Sequence, residues 1–178
     1  MFLNSTELLV ELNSAEEKLT LTKNIKSKCA KYGLNLDEIK KHPSIQGIGL
    51  DKIIYANDGT YYPDKNGEYR IIVGLKNKFE LIDLLALNPK NQKEWTLRRN
   101  CLTHLNSMTD LIEPDVTEIL HVWKYPLTWL KKGCVGTSII DKSQYFSILT
   151  QYKKVIIEDP DMSKILKTVV SIKPNAKS

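Results

Sequence analysis

Along this chain the spacing of apolar residues changes from helical to strand-like and back. Leu21, Ile25, Cys29 and Tyr32 recur at steps of three and four, which puts them on one face of a helix. Ser14 and Glu17 precede them at capping-box spacing. Gly33 follows and can take the left-handed C′ conformation cheaply. The pattern predicts a helix over residues 15–32 and a shorter one over 36–41, with Asn35 as cap and Pro43 stopping it.

Between residues 52 and 87 the period shortens. Ile53 to Tyr55 reads as a strand, ended by the turn Asn57-Asp58-Gly59. Thr60 to Tyr62 returns beside it, and Pro63 to Gly67 is a second turn. Glu68 to Leu75 is a strand, and Phe79 to Leu87 is an apolar run whose later part fits either a strand or a helix. An antiparallel meander is expected here, on which the N-terminal helical segment docks. Trp95 to Leu97 extends it, and residues 100–105 read as a short helix before the loop Glu113-Pro114-Asp115.

The last third alternates. Strands are predicted over 119–123, 135–140 and 155–158, with helices over 126–131, 143–152 and 160–169. That order is the signature of βαβ units. The expected fold is mixed α/β: a central meander, βαβ-type alternation near the end and a helical N-terminal segment. It forms one domain over residues 1–172, with a disordered tail over 173–178.

Composition narrows the function classes. Of the 26 basic residues only Arg70, Arg98 and Arg99 are arginine, and the net charge is +5. Lysine excess gives weak attraction to polyanions without the bidentate forks that read phosphate and guanine. Cys29, Cys101 and Cys134 are odd in number and widely spaced, so neither a disulfide framework nor a structural zinc site is expected. The first residues lack a basic leader segment, and no apolar run reaches membrane-spanning length. A cytoplasmic protein without membrane contact is the expectation.

Most candidate chemistry has a cheaper structural explanation. Gly47-Ile48-Gly49 lacks a third glycine for a phosphate loop, and Gly133-Cys134-Val135-Gly136 lies between a helix and a strand, the wrong order. Cys134 with His104 or His121 as base matches no nucleophile signature, and free cysteines are usually buried. His42, His104 and His121 show no metal-ligand spacing. Asp159 and Asp161 follow a strand, where acids can hold a metal, but capping of the next helix by Asp159, with Pro160 at its first position and Asp161 in its first turn, explains them without one. The strongest ligand candidate is Trp95 with Arg98 and Arg99, two adjacent guanidiniums beside an aromatic. Such a group suits an anion or nucleic acid.

Residues 121–161 resemble a degenerate Toprim segment, the catalytic fold of primases and topoisomerases. Gly133 would end a helix, Gly136-Thr137 would follow a short strand, and Val155 to Ile157 would lead to the Asp159-Pro160-Asp161 motif. The resemblance implies that Asp159 and Asp161 bind Mg. It also implies an acid about a dozen positions before Gly133, at the end of a strand. That place falls near His121, and the nearest acid, Glu118, precedes the strand. Two functions follow as expectations. The first is a non-catalytic accessory or binding module, without cofactor, contacting nucleic acid or a partner protein through Trp95, Arg98 and Arg99. The alternative is a Toprim-like metal-dependent phosphoryl-transfer enzyme acting on nucleic acid. A phage or other mobile element is the expected setting, with no single residue behind it.

Overall fold

Asn4, and not Ser14, caps the first helix. In the computed structural model, which describes residues 3–76, 80–99, 119–138, 149, 152 and 154–164, α1 spans Ser5–Leu21. The Asn4 side chain accepts from the Glu7 amide at 3.0 Å, and the Glu7 carboxylate accepts from the Asn4 amide at 2.7 Å. These two bonds form a complete capping box. The expected helix over 15–32 is corrected in both directions. It starts ten residues earlier and breaks after Leu21, before α2 (Ile25–Lys31). Asn24 takes φ +60 at the break. Leu8, Leu12, Ala15 and Leu19 form the buried stripe, while Leu21 is 80% exposed. Two apolar stripes overlap in this sequence, and the one meeting the sheet sets the helix.

α3 (Leu36–Ile39) follows under its Asn35 cap, and β1 (Ile45–Tyr55) is longer than the three residues expected. Its first half hides in the sequence because Gly47 and Gly49 interrupt the β pattern. Gly49 lies in the strand for a packing reason: a Cβ there would run into the backbone of Ala15. The rest of the meander is β2 (Tyr61–Pro63), β3 (Glu68–Lys76), β4 (Leu81–Leu87) and β5 (Trp95–Leu97). The order is β2-β1-β3-β4-β5 with every pairing antiparallel. The run over 81–87 is thus a strand.

Alternation divides the sheet between two apolar layers. Ile53, Ile72, Leu84 and Ala86 meet Leu8, Leu12 and Ala15 of α1. Ile48, Leu50, Ile71, Val73, Leu85 and Leu87 face a second cluster with Cys29, Leu36, Ile39, Trp123, Leu127 and Trp129. Burial on both faces explains why β4 is apolar along nearly its whole length.

The second unit of structure is parallel. β6 (Ile119–Val122) pairs with β7 (Lys154–Ile157), and α4 (Pro126–Lys131) follows β6 with Pro126 in its first turn. Val122 also bridges Thr137 in the parallel sense, so β6 has a parallel neighbour on each edge. The strand expected over 135–140 is reduced, within the described residues 135–138, to this one bridge. Trp123 and Trp129 hold the chain there by donating to the carbonyls of Val135 (2.7 Å) and Gly136 (3.0 Å). The chain is helical over 160–164 and at Leu149. The features expected at 100–105, 113–115 and 173–178 lie outside the described residues, as does most of 143–152. Among the described residues no helix is long and apolar enough to cross a membrane.

Candidate functional site

The carboxyl ends of β6 and β7 bring Lys124 and Asp159 together. Both residues leave their strands at the same end of a parallel pair, where open α/β sheets place ligand sites. The Lys124 ammonium lies 3.1 Å from each Asp159 carboxylate oxygen. Asp159 Oδ1 also accepts the backbone amides of Asp161 (3.1 Å) and Met162 (2.9 Å), so this aspartate caps the turn that begins at residue 160. The Met162 amide, with the Lys124 ammonium adding to it, holds the Asp159 carboxyl below the usual carboxylate range. The hydrogen bond to Asp159 in turn raises Lys124. Asp161 points outward, with its carboxylate 3.9 Å from Lys164. Among the described residues no three His, Cys, Asp or Glu side chains cluster as metal ligands do.

The Trp95–Arg99 segment is drawn inward. Trp95 is partly buried against the larger core cluster. Arg98 donates from Nε to Glu11 at 2.8 Å and from Nη1 to the Tyr61 carbonyl at 2.8 Å. Arg99 uses its backbone amide to reach the Asp83 carboxylate at 3.0 Å, and its Nη1 lies 3.3 Å from the Ile82 carbonyl. Its Nε is buried without a partner among the described residues. Arg98 and Arg99 thus diverge, as neighbours leaving a strand do. The third arginine, Arg70, is buried between Glu68 (2.7 Å), Glu94 (3.4 Å) and the Tyr55 hydroxyl (3.2 Å).

The remaining candidates separate. Cys134 is buried, and burial pushes its thiol up to about 12, far from a reactive thiolate. His121 stacks on Trp123, with ring centroids 6.2 Å apart. His42 packs edge-on against Trp129. His104 and Cys101 lie outside the described residues.

Two participants escape sequence reading. Lys124 follows the apolar run of β6 without any motif around it, and only the pairing of β6 with β7 sets it against Asp159. Glu11 sits mid-helix, 87 positions from Arg98. Its place in the i, i+4 row below the Leu8 and Leu12 stripe is a signal too faint to name its partner. Compared with family models, curated proteins and solved structures, the chain matches none.

Proposed function

We propose that this chain is a non-catalytic accessory or binding module that contacts nucleic acid, with a partner protein as the other class of ligand. The Lys124–Asp159 pair is the observation that carries this reading. A metal-dependent phosphoryl-transfer site needs several acids converging on an open cation position. At the end of β6 stands a lysine, its ammonium against both oxygens of Asp159. Oδ1 of the same carboxylate also accepts two backbone amides. An ammonium there supplies the positive charge that a cation would otherwise bring.

The net charge of +5 favours a polyanionic ligand. With Arg70 and Arg98 held in internal ion pairs, phosphate contact falls to lysines and to Arg99. A reducing, cytoplasmic setting belongs to the same reading, supported by the unbridged thiols of Cys29 and Cys134.

A Toprim-like enzyme using Mg is the second reading. One observation favours it: Asp159 and Asp161 follow a parallel strand whose neighbour, β6, lies between it and the Thr137 bridge.

The test pairs two assays on the intact chain. Anisotropy titrations with labelled oligonucleotides at rising salt should show binding that weakens steeply as salt rises. Incubation with nicked and intact DNA, with and without Mg, should show no cleavage or joining. Mg-dependent turnover that disappears in Asp159→Asn would overturn the proposal in favour of the enzyme. Absence of nucleic-acid binding at low salt would overturn the nucleic-acid reading.

A further inference from the structure

We infer that the single-stranded form of nucleic acid is the ligand, and that it docks where β1, β2 and β3 carry Tyr62, Tyr69, Lys52 and the adjoining Lys65. This inference rests on the nucleic-acid reading above and deepens it by naming the surface and the form of ligand.

Register places the groups. Tyr69 lies opposite Lys52, and Tyr62 lies opposite Ile54. Residues directly opposite in an antiparallel pair share a face, as do residues two apart in one strand. Lys52, Ile54, Tyr62 and Tyr69 therefore lie on one face, the face away from Asp51, which pairs with Lys18 of α1. Tyr62 is 43% exposed and Tyr69 is 59% exposed. Two aromatic rings are thus open to a stacking partner.

A lysine stands over the Tyr69 ring. The Lys52 ammonium stands 5.2 Å from the Tyr69 ring centroid and is steered by a 3.1 Å bond to the Lys65 carbonyl. A cleft of about 580 Å³ is lined by Tyr69, Lys52, Lys65 and Asp64 and, from the α1 side, by Lys18 and Asp51, with Tyr62 outside it. Both aspartates are already engaged. Asp51 receives Lys18 on both oxygens at 2.7 Å, and Asp64 accepts the Asn66 amide at 2.7 Å within its own turn. Among the described residues neither the Lys52 nor the Lys65 ammonium has a carboxylate within ion-pair distance, and Lys18, Lys52 and Lys65 outnumber Asp51 and Asp64, so the cleft keeps a net positive charge.

This combination separates the ligand classes. Protein interfaces deplete lysine at their centres, whereas nucleic-acid grooves combine lysines for phosphate with aromatic faces for bases. A tyrosine ring stacks only on a base released from its neighbours, which a duplex does not offer. Single strands fit and duplexes do not.

The experiment is an anisotropy titration of labelled single-stranded and duplex oligonucleotides of one sequence against wild type, Tyr69→Ala, Tyr69→Phe, Tyr62→Ala and Lys65→Ala. Wild type should prefer the single strand. Tyr69→Ala should weaken it on the order of 10-fold or more, while Tyr69→Phe retains most of the affinity. Lys65→Ala should flatten the salt slope by about 0.7. Circular dichroism checks that each variant is folded, and Tyr69 and Lys65 are exposed enough for this to be expected. Equal affinity for duplex, or single-strand binding that ignores both Tyr69→Ala and Lys65→Ala, would overturn this inference while leaving the nucleic-acid reading intact. Failure of wild type to bind either form would overturn both.

Discussion

The imidazole of His42 meets the indole of Trp129 edge-on, with ring centroids 5.0 Å apart and planes at 86°. His42 follows α3 and Trp129 belongs to α4, so the contact ties the helical N-terminal third to the parallel unit. The Nδ1 atom of His42 accepts the Ser44 amide at 3.2 Å, a role open only to a nitrogen without its proton. Burial holds the ring below its ordinary value of 6.5.

A pH dependence of stability follows from that shift. The folded state binds fewer protons at His42 than the unfolded state, so this contribution rises with pH. It is fully present above about pH 6.5 and is lost as pH falls from there through the lower folded value. Urea midpoints across this range should fall more steeply for wild type than for His42→Asn, which keeps a polar group but cannot charge. Parallel midpoints for the two proteins would remove His42 from the account.

Gly49 gives a prediction about packing. Its hypothetical Cβ meets the carbonyl carbon and Cβ of Ala15, and backbone cannot swing aside as the end of a flexible side chain does. Gly49→Ala should cost about 1–3 kcal/mol, as overpacking of a tight core does. The urea midpoint of the variant measures it. An unchanged midpoint would show that α1 can lift from β1 at no cost.

These two contacts show why the sequence was readable in some places and not in others. The strand over 68–75 was legible from its β-rich run, whereas 81–87 stayed open between strand and helix, because burial on both faces leaves an apolar run without the alternation that marks a strand. α4 was legible because Pro126 and Gly133 mark its limits. α1 was misread because Ser14 and Glu17 imitate a cap whose true counterpart, Asn4 with Glu7, lies ten residues upstream. The first half of β1 was hidden because Gly47 and Gly49 carry no β signal, the second of them leaving room for the backbone of α1 at Ala15. Of the candidate site, the capping role of Asp159 could be read locally. Its pairing with Lys124 depends on two strands 31 residues apart coming into parallel register, which no local pattern encodes.

Both core tryptophans should be costly to truncate, and each in the same way. Trp129 is fully buried and Trp123 is 8% exposed. Replacing either with alanine should cost about 3–5 kcal/mol. Trp129→Phe keeps an aromatic ring but leaves the Gly136 carbonyl without the indole N–H at 3.0 Å, at a further cost of about 1 kcal/mol beyond the lost area. Equilibrium unfolding of the three variants tests this. A midpoint unmoved by Trp129→Ala would mean that the larger core cluster does not depend on α4.

The thiols should be inert in the folded protein. Cys29 and Cys134 are buried and unbridged, and burial raises both. Iodoacetamide at neutral pH should label neither until denaturant is added, after which both should react. Mass spectrometry of the native and unfolded reactions reads the result. Rapid native labelling at Cys134 would show that the loop around it opens.

The Glu11–Arg98 pair combines burial with charge and allows the most demanding test. Their side chains are only 14% and 17% exposed, and Nε and Oε2 lie 2.8 Å apart. Burial raises the Glu11 carboxyl, while Arg98 opposes the rise. Arg98→Met strands a buried carboxylate and should cost about 3–5 kcal/mol at neutral pH. The double variant Glu11→Leu/Arg98→Met strands no charge and should cost less than the single one. The sign of the pH effect is fixed by the direction of the shift. Without Arg98 the folded-state value of Glu11 climbs further above 4.5, so the folded protein retains a proton that the unfolded chain gives up. Stability linked to Glu11 is then fully present below about pH 4.5 and is lost as pH rises through the folded value. The penalty of Arg98→Met relative to wild type should therefore be smallest in acid and grow toward neutrality, while that of the double variant does not grow, because it lacks the raised Glu11 carboxyl that wild type retains. Urea titrations at an acidic and a neutral pH measure all three proteins. Equal penalties at both pH values would show that Arg98 contributes through packing over the Tyr61 ring, 5.6 Å from its guanidinium, and not through its charge.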